Sequence, residues 1–113
     1  MSKGGGANQV TAYLVYMTLP TEEEATKIGK ELVQQRLAAC VNILGTSRSI
    51  FWWNGAIQSE DETVMILKTS DIKIDLLIET VQELHSYDCP AITAIEINKG
   101  SSNFLNWIVK ETA

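Results

Sequence analysis

The sequence predicts a single α+β domain whose elements follow the order β-α-β-β-α-β, with one further helix at the end. The length of 113 residues suits one domain, and 45% hydrophobic residues are enough for one core. Apolar residues alternate along the chain between strand-like runs and helical stripes. Residues 1–9 contain three consecutive glycines and no apolar pattern, so we expect a flexible leader there and the domain over residues 10–113.

A strand and a helix come first. Residues 10–18 are rich in β-branched and aromatic side chains and lack polar alternation, which is typical of a central strand. Pro20 ends this strand, and Thr21 with Glu24 three residues later has the spacing of a helix capping box. An apolar stripe then predicts that one helix face packs on a sheet. The stripe consists of Ala25, Ile28, Leu32 and Leu37.

Residues 39–69 are predicted to form a long hairpin that turns at Asn54-Gly55, a dipeptide suited to a two-residue turn with positive φ. Its tip carries Ile50, Phe51, Trp52 and Trp53. The two tryptophans point to opposite faces, so at most one packs inward. Because the rest of the chain is too short to cover both a sheet and a protruding ribbon, we expect a neighbouring subunit to cover this tip.

The remaining elements are a helix, a short strand and a last helix. Asp71 is positioned to cap the second helix, whose apolar stripe ends near His85. Residues 91–97 form a short apolar strand. The last helix follows Gly100-Ser101-Ser102 and turns Leu105, Ile108 and Val109 inward. This order is the split βαβ arrangement of ferredoxin-like folds.

Charge and composition exclude several partners. The net charge is −5 and the basic residues are scattered, which argues against nucleic acid. No apolar run approaches the roughly 20 residues that span a bilayer, and no signal peptide is present, so we expect no membrane partner and a cytoplasmic location. A domain of this kind seldom keeps a disulfide, so Cys40 and Cys89 are expected to be reduced.

His85, the only histidine, lies close in sequence to Tyr87 and Cys89. Three interpretations stay open. The side chain can serve the helix C-terminus by interacting with the helix dipole. Imidazole and sulfur ligands, with Met17 as a further sulfur donor, can form a site for a soft metal such as copper. Cys89 can act as a nucleophile that His85 activates.

Other chemistry-bearing residues favour structural roles. Cys40 at the start of a strand suits inert core packing. The run Glu60-Asp61-Glu62 fits no calcium loop and is expected to be solvated. The glycines at residues 4–6 precede the first strand and form no phosphate-binding loop.

Several motifs, taken in order over residues 12–108, resemble the CutA family of divalent-cation tolerance proteins. Residues 35–43 (QRLAACVNI) look like that family's signature at the end of its first helix, and residues 49–57 (SIFWWNGAI) look like its hairpin motif, with Phe51 in place of the usual Tyr. The set is completed by Leu67-Lys68-Thr69, His85-x-Tyr87-x-x-Pro90 and Leu105-x-Trp107.

The resemblance implies a ferredoxin-like fold assembled as a tight homotrimer, with long hairpins that reach across to neighbouring subunits. It also implies a link to tolerance of copper and other divalent metals, without a defining catalysed reaction. The family's copper-ligand positions fall on Met17, Leu84 and His85, and only His85 is unchanged.

We therefore expect a non-catalytic trimeric divalent-metal (copper) tolerance protein that requires no cofactor and binds metal through His85, Met17 and Cys89. The alternative is a signalling or scaffold module, like the similarly built PII proteins. It would bind a small ligand or partner protein in inter-subunit clefts near Trp53, Lys68 and Tyr87. An enzyme acting on a small substrate is the third choice.

Overall fold

The fold is that of a computed structural model, which describes residues 11–113; the predicted leader at residues 1–9 lies outside this range. The described chain contains four strands and three helices in the predicted order. They are β1 (Ala12–Leu19), α1 (Glu22–Gln34), β2 (Cys40–Trp53), β3 (Ala56–Ser70), α2 (Ile74–Leu84), β4 (Ile92–Ile97) and α3 (Ser102–Glu111). None of these helices is long and apolar enough to cross a bilayer.

The strands form one antiparallel sheet in the order β2-β3-β1-β4. The prediction that β1 is a central strand is confirmed, and β2 and β4 are the edges. Helices α1 and α2 cover one face of the sheet, where alternate residues of β1 and β3 meet their apolar stripes. The largest buried side chains on that face are Met17, Leu19, Leu32, Met65, Leu67 and Leu77.

The opposite side of the sheet is called the open face here, and it carries Leu14, Tyr16, Val64, Ile66, Lys68 and Ile95. Helix α3 covers only one end of it, where the hydroxyl oxygens of Ser70 and Thr112 lie 2.7 Å apart in a buried hydrogen bond. Further along, Tyr16 and Ile95 remain 39% and 60% exposed. Within residues 11–113, the sheet thus has one complete core and one apolar face that is largely uncovered.

The first helix begins as predicted, because the backbone N–H of Glu24 donates to the Thr21 hydroxyl at 3.1 Å. It ends at Gln34, before Leu37, which the sequence placed on the helical stripe. Arg36 has φ of 60° and turns the chain, and the Leu37 N–H donates back to the Leu32 carbonyl at 2.9 Å. Leu37 therefore reaches the core from the turn that follows the helix.

The second helix corrects one prediction. Asp71 does not cap it; α2 begins at Ile74, and the preceding Lys73 makes no side-chain cap. The physical reason is that the Asp71 N–H donates to the Thr11 carbonyl at 2.8 Å, which ties Asp71 to the start of β1. Residues 71–73 then form a separate turn before the helix.

The hairpin is as long as predicted, with strands of 14 and 15 residues, and it extends the molecule to 52 Å in one direction. Asn54 and Gly55 form its turn, with φ of 52° and 80°. A bulge between Ile43 and Gly45 adds one residue to β2. Next to the two-residue turn, Trp52 pairs with Ile57, and both point to the same side of the ribbon.

Candidate functional site

His85 is the C-cap residue of α2, where its backbone N–H donates to the Val81 carbonyl, and its side chain is fully enclosed. The ring nitrogen Nε2 lies 2.8 Å from the carbonyl oxygen of Thr18, and Nδ1 lies 3.0 Å from the backbone N–H of Tyr87. A carbonyl only accepts and a backbone N–H only donates, so Nε2 carries the proton and Nδ1 supplies the lone pair. The imidazole is therefore neutral in this arrangement, with both nitrogens engaged.

Two acidic side chains and a phenol adjoin this imidazole. Glu24 accepts from the Ser86 N–H at 3.0 Å, and its Oε2 lies 3.7 Å from Nδ1 of His85. The ring of Tyr87 lies 4.8 Å from the imidazole, measured between ring centres. Glu62, expected to be solvated, is in fact only 8% exposed and lies beside the Tyr87 phenol. These four residues, Glu24, Glu62, His85 and Tyr87, are called the His85 cluster here.

The environment of Tyr87 has a measurable consequence. Burial, followed by the negative charge and hydrogen bond of Glu62, raises the pKa of the Tyr87 phenol from 10.0 to about 12. Because the neutral phenol is favoured in the folded state, its contribution to stability is present below pH 10 and is lost as the pH approaches 12.

We expect the last phenolate step in an ultraviolet pH titration to disappear in Tyr87→Phe. Glu62→Gln serves as the comparison, because removal of the neighbouring charge should move the same step to lower pH. A last step that survives in Tyr87→Phe would show that another group produces it.

The three predicted metal ligands are not gathered into one site. Met17 is fully buried in the core, Cys89 is exposed, and His85 has no free ring nitrogen. Across residues 11–113, no three His, Cys, Asp or Glu side chains lie close enough together to hold a metal ion. A copper ion at His85 would have to displace the Tyr87 N–H from Nδ1, so these residues do not fit a ready-made metal site within one subunit.

The same hydrogen bonds bear on the Cys89 nucleophile. A base needs a lone pair that is free to accept the thiol proton. Nδ1 of His85 already accepts from Tyr87, and Nε2 carries its own proton. The arrangement therefore offers Cys89 no activating imidazole.

The three predicted cleft residues also lie apart within one subunit. Trp53 pairs with Ala56 at the hairpin tip, and Tyr87 contacts Glu62. Lys68 lies farther along β3. Ala56, Glu62 and Lys68 are spaced six positions apart along β3. At the rise of a strand, each of them lies about 20 Å from the next. One subunit thus cannot bring Trp53, Tyr87 and Lys68 around a common ligand.

The hairpin tip exposes a large apolar surface. Ile50 and Trp52 are each 71% exposed, and Ile57 is 63% exposed. The cross-strand register places all three on the same side of the ribbon. Contiguous apolar surface of this kind marks a contact surface in soluble proteins.

Cys40 departs from the predicted role of core filler. It is half-buried on the edge strand β2, where it helps to line a groove of about 700 Å³ between α1 and β2. Burial raises the pKa of its thiol, while the positive charge of Lys68 has the opposite, smaller effect. The thiol is therefore neutral at physiological pH. Both cysteines are free, in agreement with the prediction.

Comparison with known proteins identifies relatives over almost the whole described chain. The profile of the CutA1 divalent ion tolerance protein family matches residues 13–111. The divalent-cation tolerance protein CutA of Archaeoglobus fulgidus is 45% identical over 94 residues, which cover 83% of this chain and 91% of that protein. Protein CutA 1, chloroplastic, of Oryza sativa subsp. japonica is 35% identical over 103 residues, which cover 91% of this chain and 58% of the rice protein. The chain thus spans a little over half the length of that relative.

Comparison with solved structures identifies the same family. The solved structure of the Archaeoglobus fulgidus protein, described as a periplasmic divalent cation tolerance protein CutA, superposes with a TM-score of 0.87 at 41% identity. The superposition covers 90% of this chain and 99% of the other. Sequence motifs, family profile and fold therefore agree, and the chain belongs to the CutA1 divalent ion tolerance protein family.

Proposed function

We propose that the protein contributes to divalent-cation tolerance as a non-catalytic homotrimer whose binding sites, for a divalent ion such as copper or for a small ligand, are completed between subunits. The observation that carries this proposal is the hairpin tip with exposed Ile50, Trp52 and Ile57. None of the residues that the structure describes covers this surface, and a second copy would supply an apolar partner. The sheet edges β2 and β4 and the open face are further surfaces for assembly.

The metal-binding form of the proposal retains His85, Met17 and Cys89 as the ligands to test. Its support is the family to which the chain belongs, whose description and relatives' names refer to divalent cations. Metal binding at His85 requires the His85 cluster to rearrange, because the imidazole is enclosed and both of its nitrogens are hydrogen-bonded.

The second candidate is a small ligand or partner protein held in clefts between subunits. It is favoured by the separation of Trp53, Tyr87 and Lys68 along the hairpin, since only another copy can bring Trp53 to either of the other two. The support for a non-catalytic role is the engagement of the only histidine in structural hydrogen bonds. A cytoplasmic location is part of the proposal, although named relatives are described as periplasmic or chloroplastic.

Native mass spectrometry with copper titrated into the protein tests the metal-binding form. We expect a trimeric mass that takes up integral numbers of copper ions. If Met17 and Cys89 are ligands, copper uptake should be at least tenfold weaker in Met17→Leu and in Cys89→Ser. Both changes remove sulfur with little damage, because the first conserves volume and Cys89 is exposed.

Met65→Leu is the matched control, since it removes an equally buried thioether from the same core at a position with no predicted ligand role. Unchanged copper uptake by intact trimers of Met17→Leu and Cys89→Ser would sink the predicted ligand set. A wild-type trimer that takes up no copper would favour the small-ligand candidate, and a monomeric mass would contradict the assembly itself.

A further inference from the structure

Lys68 occupies an unusual position for a cation. It lies in the middle of β3, opposite Cys40 on one side and Leu14 on the other. Its neighbours in sequence, Leu67 and Thr69, are fully buried on the helix-covered face, so the Lys68 side chain projects on the open face. It is half-buried there among mainly apolar residues.

This lysine lacks the acidic partner that two other cations have. Arg36 and Arg48 each lie 2.8 Å from a carboxylate, of Glu111 and Asp61 respectively. Among the ion pairs of residues 11–113, none involves Lys68. Its ammonium group instead donates to the side-chain carbonyl oxygen of Asn42. The adjacent Cys40 thiol supplies no charge either, because it is neutral.

The hydrogen bond to Asn42 determines what the site presents outward. A lysine can only donate, so Oδ1 of Asn42 faces it. Among residues 11–113, nothing accepts from the two N–H donors of the amide Nδ2, which can therefore serve another group. The ammonium group, the Asn42 amide and the weak Cys40 S–H donor all lie on the same face of the sheet. Such a group of donors suits an oxyanion.

Burial of the Lys68 ammonium group in the proposed trimer would be unfavourable if its charge had no partner. Tyr16, Ile66 and Ile95 of the open face are apolar surface that the trimer proposed above has reason to bury. An ammonium group that loses its water without gaining an opposite charge is strongly unfavourable. We infer that Lys68 and Asn42 form a binding site for a small oxyanion, a carboxylate or a phosphate, within the assembled protein. The inference rests on the proposed trimer and adds the chemical class of its ligand.

Calorimetric titration of inorganic phosphate and of citrate into the purified trimer tests the inference, at constant ionic strength in a buffer free of other oxyanions. We expect binding of at least one probe. Lys68→Gln should weaken it about tenfold or more, the loss typical of a hydrogen bond to a charged group. Lys68→Arg keeps the charge and should retain most of the affinity.

Two further variants test whether any loss of binding is specific to this site. Lys99→Gln removes the same charge from an exposed position after β4 and should leave binding unchanged. Asn42→Ala, also exposed, should weaken binding even if Lys68→Gln fails to fold. No binding of either probe by a wild-type trimer would overturn the inference while the trimer stands. An equal loss in Lys99→Gln and Lys68→Gln would likewise overturn it. A wild-type monomer would instead overturn the proposed assembly, and this inference with it.

Discussion

Replacing Trp52 with alanine is expected to dissociate the proposed trimer at micromolar subunit concentrations. Trp52 is 71% exposed in the isolated subunit and lies near the end of a ribbon whose tip the described residues 11–113 leave uncovered. A tryptophan offers about 150–250 Å² for burial, so its contact is worth about 2–4 kcal/mol per subunit. Loss of three such contacts weakens the trimer by about 6 kcal/mol or more, roughly four orders of magnitude in the dissociation constant.

Sedimentation equilibrium over a concentration series measures this effect directly. Leu76→Ala is the control, because Leu76 is a large apolar residue on α2 that is 49% exposed but lies outside the hairpin. We expect that variant to remain trimeric throughout. A Trp52→Ala protein that stays trimeric at the lowest measurable concentration would show that the tip does not anchor the assembly.

The fold was largely predictable from the sequence because local signals agreed with one another. Asn54-Gly55 located the hairpin turn, and both residues adopt the positive φ that the dipeptide favours. Thr21 located the start of α1, and its hydroxyl accepts the expected hydrogen bond. Asp71 misled the prediction of α2, because a side chain suited to a helix cap was instead tied by its backbone to the start of β1.

The environment of individual polar side chains was less predictable. Glu62 belongs to an acidic run that resembles a solvated turn, yet it is buried beside Tyr87. Glu24 has the spacing of a reciprocal capping box, but its carboxylate accepts from Ser86 on a distant segment. Both outcomes depend on contacts between residues far apart in sequence, which local spacing does not encode.

The candidate site illustrates the same limit. The sequence predicted that Trp53, Lys68 and Tyr87 line one cleft. The three residues lie apart within one subunit, so this stays a prediction about the proposed assembly. The open face was missed, although β1 and β3 contain a signal for it. Both strands are apolar without regular polar alternation, which is typical of strands covered on both faces. Helices α1 and α2 cover one of these faces and α3 covers one end of the other, so the rest of the open face is available to the proposed neighbouring subunits.

Replacement of His85 is expected to have a large effect on the stability of the subunit. His85→Ala should lower the free energy of unfolding by about 3 to 5 kcal/mol per subunit, since it opens a cavity and leaves two buried backbone groups unpaired. Those groups are the Thr18 carbonyl and the Tyr87 N–H. Chemical denaturation measures the change in the free energy of unfolding. Both proteins are compared at the same subunit concentration, because the stability of an oligomer depends on that concentration.

Leu84→Ala, at the neighbouring and 44% exposed position, should cost less than about 1 kcal/mol. His85→Gln, whose amide supplies one donor and one acceptor, should recover part of the loss if the hydrogen bonds rather than the ring volume dominate. A cost for His85→Ala no larger than for Leu84→Ala would show that the imidazole does not hold β1 to the end of α2. A large cost has a consequence for function: loss of copper in His85→Ala would then reflect loss of structure as readily as loss of a ligand. The sulfur variants Met17→Leu and Cys89→Ser are therefore the decisive test of the metal site.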